Sequence, residues 1–192
     1  MLKASIIQVI SIAFYIIILI IGIKRNFSFK KHFILFMFYF YIVATISITL
    51  FPIPVGKLDI QLLKESSFLK NNYIPFKDII GIIKTQNKTT ILKQLFGNIL
   101  LMVPLGCFVP VIFQKYDNFK RAITIGILSS VTIEFLQFLI SFIIGITYRI
   151  TDIDDVILNT IGFTLGYFLF KKSVFYKFLV QNRLTYTSNK EI

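Results

Sequence analysis

Five long apolar stretches run through the sequence, and each is long enough to cross a membrane as a helix. A helix needs about 20 residues to span the hydrocarbon core of a bilayer. The stretches are Ser5–Ile23, Phe33–Phe51, Leu95–Phe113, Ala122–Ile144 and Ile153–Phe170. Hydrophobic residues make up 56% of the chain and charged residues only 16%, which excludes an ordinary soluble domain. The sequence therefore predicts an all-α, polytopic membrane helix bundle with about five transmembrane helices, in a single integral membrane domain over residues 1–192.

The basic residues predict how the chain is oriented in the membrane. The formal net charge is +12, and Lys and Arg concentrate in the short loops 24–32 and 114–121 and in the tail after the last span. The turn 145–152 holds one basic residue, Arg149, and the long loop 52–94 weighs little because long loops have little influence on orientation. We predict a multi-pass cell-membrane protein with its N-terminus outside and its C-terminus in the cytoplasm. Because the basic residues form no single stripe, no nucleic-acid partner is expected.

Cysteine and histidine are too few to build a metal centre. The chain has one cysteine, Cys107, and one histidine, His32. Structural zinc sites need several thiolate or imidazole ligands, so neither a metal site nor a cofactor is predicted.

The loop after the second stretch contains a second helical pattern. Apolar side chains recur there at helical spacing, at Phe76, Ile79, Ile80 and Ile83. The pattern is too short to span a bilayer, so it predicts a short amphipathic helix that lies on the outer membrane surface or in the mouth of the bundle.

The fourth stretch has one polar face, which includes an acid close to the bilayer centre. Glu134 shares this face with Ser130, Gln137 and Ser141, since the four lie within an arc of roughly 60° at about 100° per residue. Acids inside a membrane are costly and usually functional, so Glu134 is a candidate site residue.

The last stretch begins with three acids, two of which share a face with an amide. Asp152, Asp155 and Asn159 lie with Gly162 and Gly166 within an arc of roughly 80°. The fourth and fifth stretches form an antiparallel hairpin, which is expected to bring their two polar faces together and towards Asn98 of the third stretch.

Structural explanations compete for several of these residues. Thr151 and Asp154 resemble a capping box, which assigns Asp154 to the helix start and accounts for Asp152 in part. Asn98 fits an interhelical hydrogen bond as well as a ligand contact. Arg149 fits an interfacial anchor, a salt-bridge partner of Asp152 or Asp155, or a receptor for a phosphate or carboxylate. We assign no catalytic residue; the candidate functional cluster is Asn98, Glu134, Gln137, Arg149, Asp152, Asp155 and Asn159.

These motifs resemble the VanZ-like family, which is named for an accessory protein of glycopeptide-resistance clusters. The resemblance covers roughly residues 72–170. It rests on Ile74-Pro75-Phe76; on Asn98 with Pro104-Leu105-Gly106; on Glu134 with Gln137; and on Arg149, Asp152, Asp155, Asn159, Gly162 and Gly166. It implies a membrane protein of the bacterial cell envelope that is associated with antibiotic resistance, specifically resistance to teicoplanin. It leaves the biochemical mechanism open.

Three functions remain open from the sequence. The first is the binding of membrane lipids, in particular an anionic lipid or lipid-linked envelope precursor, at a polar cleft that opens to the outer face. The second is a hydrolase or transferase on such a lipid, with Glu134 or Asp155 as general base. The third is a small transporter, for which a homo-oligomer could supply the repeat symmetry that one chain lacks.

Overall fold

The structure is a computed structural model that describes residues 1–66, 70–85, 87–174 and 176–177. These residues form seven long or short α-helices, a 3₁₀-helical turn at Gln114–Tyr116 and no β-strand. The helices are α1 (Ala4–Lys24), α2 (Phe29–Leu50), α3 (Lys57–Ser66), α4 (Lys77–Thr85), α5 (Lys88–Ile112), α6 (Phe119–Ile144) and α7 (Ile153–Lys172). Within α5, a π-helical turn at Leu92–Phe96 separates the α-helical segments Lys88–Ile91 and Gly97–Ile112.

Five of the helices, namely α1, α2, α5, α6 and α7, are long and apolar enough to cross a membrane, which confirms the predicted helical membrane protein. The third span begins earlier than predicted, because Asn87 caps α5 by accepting a hydrogen bond from the N–H of Thr90 at 2.9 Å. The short helix predicted in the loop is α4. The polar helix α3 was not predicted.

The chain folds into two compact units, and α4, α6 and α7 each have residues in both. Unit 1 comprises Met1–Gly81 and Val131–Asp155. Unit 2 comprises Ile82–Ser130 and the described residues from Val156 onward.

In unit 1, α1 and α2 are joined by aromatic contacts. The Tyr15 ring lies edge-on to Phe36, with 5.2 Å between ring centroids, and the Tyr39 hydroxyl donates to the carbonyl of Ser11 at 2.6 Å. Ser28 caps the start of α2 by accepting from the N–H of Lys31. The helix ends at Leu50, because the proline that follows Phe51 has no N–H to continue it.

In unit 2, glycines allow α7 to approach α5 closely. A Cβ atom at Gly162 or Gly166 would overlap the carbonyl oxygen of Ile99 or Val103, respectively. From the other helix, a Cβ at Gly106 would overlap the backbone of α7. The two helices therefore touch through their backbones.

Candidate functional site

The polar cluster of unit 1 is built around the turn that joins α6 to α7. Gly145 ends α6 with a φ of +76°, a left-handed conformation that glycine adopts without strain. The N–H of Ile146 then returns to the carbonyl of Ser141 at 3.2 Å, as in a Schellman-type helix end. This reversal brings the start of α7 back beside α6.

Asp152 caps the start of α7, and Glu134 holds Asp152 in place. The Oδ1 atom of Asp152 accepts a hydrogen bond from the N–H of Asp154 at 2.8 Å, whereas the Thr151 hydroxyl has no partner within the described residues. The predicted capping box is therefore wrong, because the carboxylate of Asp152 reaches that N–H first. Glu134 accepts from the N–H of Asp152 through Oε2, at 2.8 Å.

The loop before α4 is hydrogen-bonded to the same turn through Asn72. Its side-chain amide donates to Oδ1 of Asp152 at 2.8 Å. Its backbone N–H donates to the carbonyl of Thr151, and its carbonyl accepts from the N–H of Ile153, both at 3.0 Å. Asn72 is only 3% exposed, so this short parallel bridge is a buried part of unit 1.

Asp154 holds the N-terminus of α4. Its carboxylate accepts hydrogen bonds from the backbone N–H groups of Phe76, Asp78 and Ile79, the last two at 2.9 and 3.1 Å. These are N–H groups that a helix start leaves without an intrahelical partner, and a carboxylate there also complements the helix dipole. Asp154 is 1% exposed. It therefore caps α4, which precedes it by more than 70 residues, in addition to lying at the start of its own helix.

Three side chains from α6 and the turn satisfy the C-terminal end of α2. Gln137 donates to the carbonyl of Thr49 at 3.0 Å, and the Tyr148 hydroxyl donates to the carbonyl of Leu50 at 3.2 Å. Arg149 donates through Nη2 to the carbonyls of Ile48 and Phe51, at 3.0 and 2.6 Å. The last carbonyls of a helix have no intrahelical partner, and a guanidinium there also complements the negative end of the dipole.

A cavity of about 210 Å³ lies beside the C-terminal end of α2. Its wall combines the cationic side chain of Arg149 and the ring of Tyr148 with apolar groups. The remaining lining residues are Met1, Pro52, Pro54 and Leu63. A site of this kind suits a ligand that has both a negative charge and an apolar part.

A family model for VanZ/LLP1 matches residues 38–177. The chain belongs to the VanZ/LLP1 family. The match contains the whole of the region 72–170 on which the resemblance rested, and it adds most of α2. No curated protein and no solved structure shows a significant match to this VanZ/LLP1 protein.

Unit 1 of this VanZ/LLP1 protein contains five of the seven predicted site residues. Glu134 and Asp152 are hydrogen-bonded to each other, Gln137 and Arg149 both reach the end of α2, and Asp155 lies half-buried in the first turn of α7. Asn98 of α5 and Asn159 of α7 belong to unit 2. There Asn159 is 2% exposed, and Asn98 is half-buried and interacts with other groups.

Burial shifts the ionisation of two groups at this turn. Burial raises the pKa of Asp152, although the N–H of Asp154 and the amide of Asn72 oppose the shift. Burial also raises the pKa of the Tyr148 hydroxyl, which donates to the carbonyl of Leu50. The described residues contain no group of three His, Cys, Asp or Glu side chains that could hold a metal ion.

Two parts of the site were missed by the sequence analysis. Asn72 and the α4-capping role of Asp154 depend on a contact between distant segments, for which no local pattern exists. The other part is a set of buried hydroxyl groups in α2, at Thr45, Ser47 and Thr49. Their spacing in an apolar stretch was the one available signal, but serine and threonine in a span commonly bond to their own helix and carry little information.

Proposed function

We propose that this VanZ/LLP1 protein binds an anionic lipid or lipid-linked envelope precursor at the cavity beside Arg149. The observation that carries the proposal is the position of one fixed guanidinium in a largely apolar wall. The proposal places the protein in the bacterial cell membrane, with the cavity on the outer side.

The way in which Arg149 is held suits it to receive a phosphate. Within the described part of the chain, both hydrogen bonds of the guanidinium use Nη2. In the proposed complex, the N–H groups of Nη1 and Nε donate to the ligand. A guanidinium presents its donors in a rigid, planar fork that matches the oxygens of a phosphate or carboxylate. Because two carbonyls already fix the guanidinium, its side chain loses less conformational entropy when a ligand binds.

The size of the cavity indicates which part of a lipid it would take. Sites that enclose a drug-sized ligand occupy roughly 300–1,000 Å³. The cavity of about 210 Å³ therefore fits an anionic headgroup with its first methylene groups. The acyl or prenyl chain would remain among the membrane lipids, so no free energy would be needed to move it out of the bilayer.

The exposed side of α4 supports contact with the membrane surface. No residue of α4 is buried, and Ile80 and Ile83 are about half exposed, as are Ile74 and Phe76 just before it. An amphipathic helix with such a face lies stably at a headgroup boundary. Because Asp154 fixes the start of α4 in unit 1, this surface contact would keep the cavity side of unit 1 at the membrane interface.

The lipids retained by the purified protein test the proposal. The full-length chain and Arg149→Gln would be extracted in mild detergent, and their bound lipids compared by native mass spectrometry. Arg25→Gln provides the matched control, because Arg25 undergoes the same change at an exposed position after α1. We expect Arg149→Gln to retain anionic lipid roughly ten-fold less and Arg25→Gln to retain it normally. Equal retention by all three proteins would overturn the proposal.

Because Arg149 also stabilises α2, a loss of fold must be separated from a loss of binding. The unfolding midpoint of each variant, measured after lipid removal, provides that separation. Arg149→Lys keeps the charge but not the planar fork, so it is expected to remain folded and to bind weakly. If the family association with teicoplanin extends to this chain, Arg149→Lys and Asp155→Asn should also lower teicoplanin tolerance at unchanged abundance in the membrane.

A further inference from the structure

Several buried polar atoms of unit 1 have no hydrogen-bond partner among the residues that the structure describes. They belong to membrane-spanning residues that are at least nine-tenths buried, with exposures of 7–8%. Among the described spanning residues of unit 1 that are buried to this degree, the unpartnered atoms are the Oγ atoms of Thr45, Ser47 and Ser141 and the Oε1 atom of Gln137. An unsatisfied polar group inside a bilayer costs several kcal/mol in the least favourable case, so such atoms require a partner.

The contrast with other hydroxyl groups in the spans shows that these atoms are unusual. Thr49, Thr160 and Thr164 each donate to the carbonyl four residues earlier, at 2.7–2.8 Å. This is the common way for a span to satisfy a hydroxyl group. Thr45 and Ser141 also lie in spans, but they do not use it. Their hydroxyl groups are therefore available to something other than their own helix.

Helix geometry brings three of the unpartnered atoms and Glu134 into one region between α2 and α6. The bond from Gln137 to Thr49 joins the two helices. Thr45 lies one turn before Thr49 on the same face of α2, and Glu134 lies one turn before Gln137 on the same face of α6. As second and fourth of five alternating spans, the helices run in the same direction, so Thr45 and Glu134 lie at nearly the same depth.

The remaining polar group, Ser141, lies one turn beyond Gln137 on the same face of α6. At 1.5 Å per residue, the row from Glu134 to Ser141 extends for about 10 Å along the helix. Ser47 lies about 160° from Thr45 around α2 and is not part of this region.

We propose that ligands with hydroxyl groups occupy this region, which we call the inner polar site and define by Thr45, Glu134, Gln137 and Ser141. Two hydroxyl groups can donate and accept, whereas the carbonyl of Gln137 only accepts, so the ligand must both donate and accept hydrogen bonds. Water and the hydroxyl of a lipid headgroup share this chemistry. A buried water makes about three hydrogen bonds to otherwise unsatisfied groups, and about three waters would bridge the row. The site would bring a solvated environment to Glu134 within the membrane.

The variant Thr45→Val tests whether the inner polar site is occupied, because the sign of its effect on stability differs between an empty and an occupied site. If the site is empty, replacing an unsatisfied hydroxyl with a methyl group of the same shape should raise the unfolding midpoint. If it is occupied, the change removes a partner of the ligand, and we expect the midpoint to fall by about 2–4 °C. Thr124→Val is the matched control, because Thr124 is exposed on α6 and bonds to Lys120 of its own helix. A rise for Thr45→Val would overturn the proposal.

Thiol labelling decides the question if Thr45→Val does not fold. In a Cys107→Ser background, Thr45→Cys is compared with Ile48→Cys for its rate of reaction with a small cationic methanethiosulfonate. Ile48 is 63% exposed on the outside of α2 and lies nearer to the end of the helix. We expect the buried Thr45→Cys to react about ten-fold faster, because only a hydrated thiol ionises readily. A rate no faster than that of Ile48→Cys, both in native lipid and in lipid-free micelles, would overturn the proposal.

Lipid removal distinguishes the two sources of the hydroxyl group. The labelling is repeated in native lipid and in lipid-free micelles of an amine-oxide detergent, which carries no hydroxyl. Fast labelling of Thr45→Cys in both conditions supports water as the occupant. Fast labelling only after lipid removal supports a headgroup hydroxyl that protects the site.

Discussion

Glu134 accepts a hydrogen bond from the backbone N–H of Asp152 at 2.8 Å, and so ties the middle of α6 to the start of α7. The acid in the fourth span is therefore part of the structure of the turn, whatever else it binds. Its carboxylate is 6% exposed, so loss of this acceptor would leave a buried N–H without a partner.

We expect Glu134→Ala to destabilise the protein by about 1–3 kcal/mol, because it leaves that N–H unsatisfied. Glu134→Gln keeps an oxygen that can accept the same bond and should be destabilised by less. Chemical denaturation of the detergent-solubilised variants measures both. Equal stability of the Ala and Gln variants would contradict the role of the bond.

Asp154→Ala should release α4 from unit 1. Three backbone N–H groups lose their shared acceptor, and hydrogen bonds to a charged group contribute about 1.5–3 kcal/mol. Hydrogen–deuterium exchange should accelerate in the peptide that covers residues 74–85. Glu65→Ala is the control, because Glu65 is an exposed acid in α3. Unchanged exchange in α4 would show that Asp154 is not its anchor.

Asp152 should make stability depend on pH. Because burial raises its pKa in the folded protein, the folded state keeps the proton to a higher pH than the unfolded state. The stability that protonated Asp152 contributes is complete below the unfolded-chain pKa of about 3.9 and is lost as pH rises through the raised pKa.

The change Asp152→Asn should remove this contribution to the pH profile. Its side-chain oxygen can still accept from Asn72 and from the N–H of Asp154, so the structure is retained. Unfolding midpoints between about pH 4 and 7 test the prediction, with the wild-type profile falling more steeply. Parallel profiles for the two proteins would refute it.

Gly162→Ala should separate α7 from α5. The added methyl group overlaps the carbonyl of Ile99, which belongs to a helix backbone and cannot move aside easily. We expect a loss of about 1–3 kcal/mol or more. Gly97→Ala, where no atom lies within 4 Å of the added carbon, should be neutral or stabilising by up to about 1 kcal/mol. Similar losses at both positions would indicate a general effect of adding a methyl group.

The orientation of the spans is a separate prediction. Single cysteines at Lys70 and Lys177, both exposed, report on opposite sides of the membrane. An impermeant thiol reagent added to intact cells should label Lys70→Cys and spare Lys177→Cys until the membrane is opened. Labelling of Lys177→Cys from outside would reverse the predicted topology.

The five spans and α4 could be predicted because hydropathy and helical spacing are properties of neighbouring residues. The polar helix α3 has no apolar stretch to mark it, and its sequence is typical of a solvated loop. For the candidate site, the sequence could place Asp154 in the first turn of α7. It could not show that Asp154 caps another helix, because that helix lies 75 or more residues away in the chain.

The roles of Gln137 and Arg149 show the same limitation. Sequence reasoning could identify them as polar groups that need a partner in the membrane, but not which partner. The partners are backbone carbonyls at the end of α2, and every residue has a carbonyl, so no residue type marks them. The prolines at 52 and 54 indicated where α2 ends, but not what satisfies that end.

The last carbonyls of α2 accept hydrogen bonds from residues that lie much later in the sequence, and this has a consequence for biosynthesis. The donors for its last carbonyls are 88, 98 and 101 residues further along the sequence. At about 5–20 residues per second, a ribosome needs on the order of 5–20 seconds to synthesise that length. During this interval the end of α2 has left the ribosome without its partners, and water in the insertion channel or at the membrane surface must solvate it. The end of α2 therefore acquires its hydrogen-bond partners only when the fourth span and the turn after it have been synthesised.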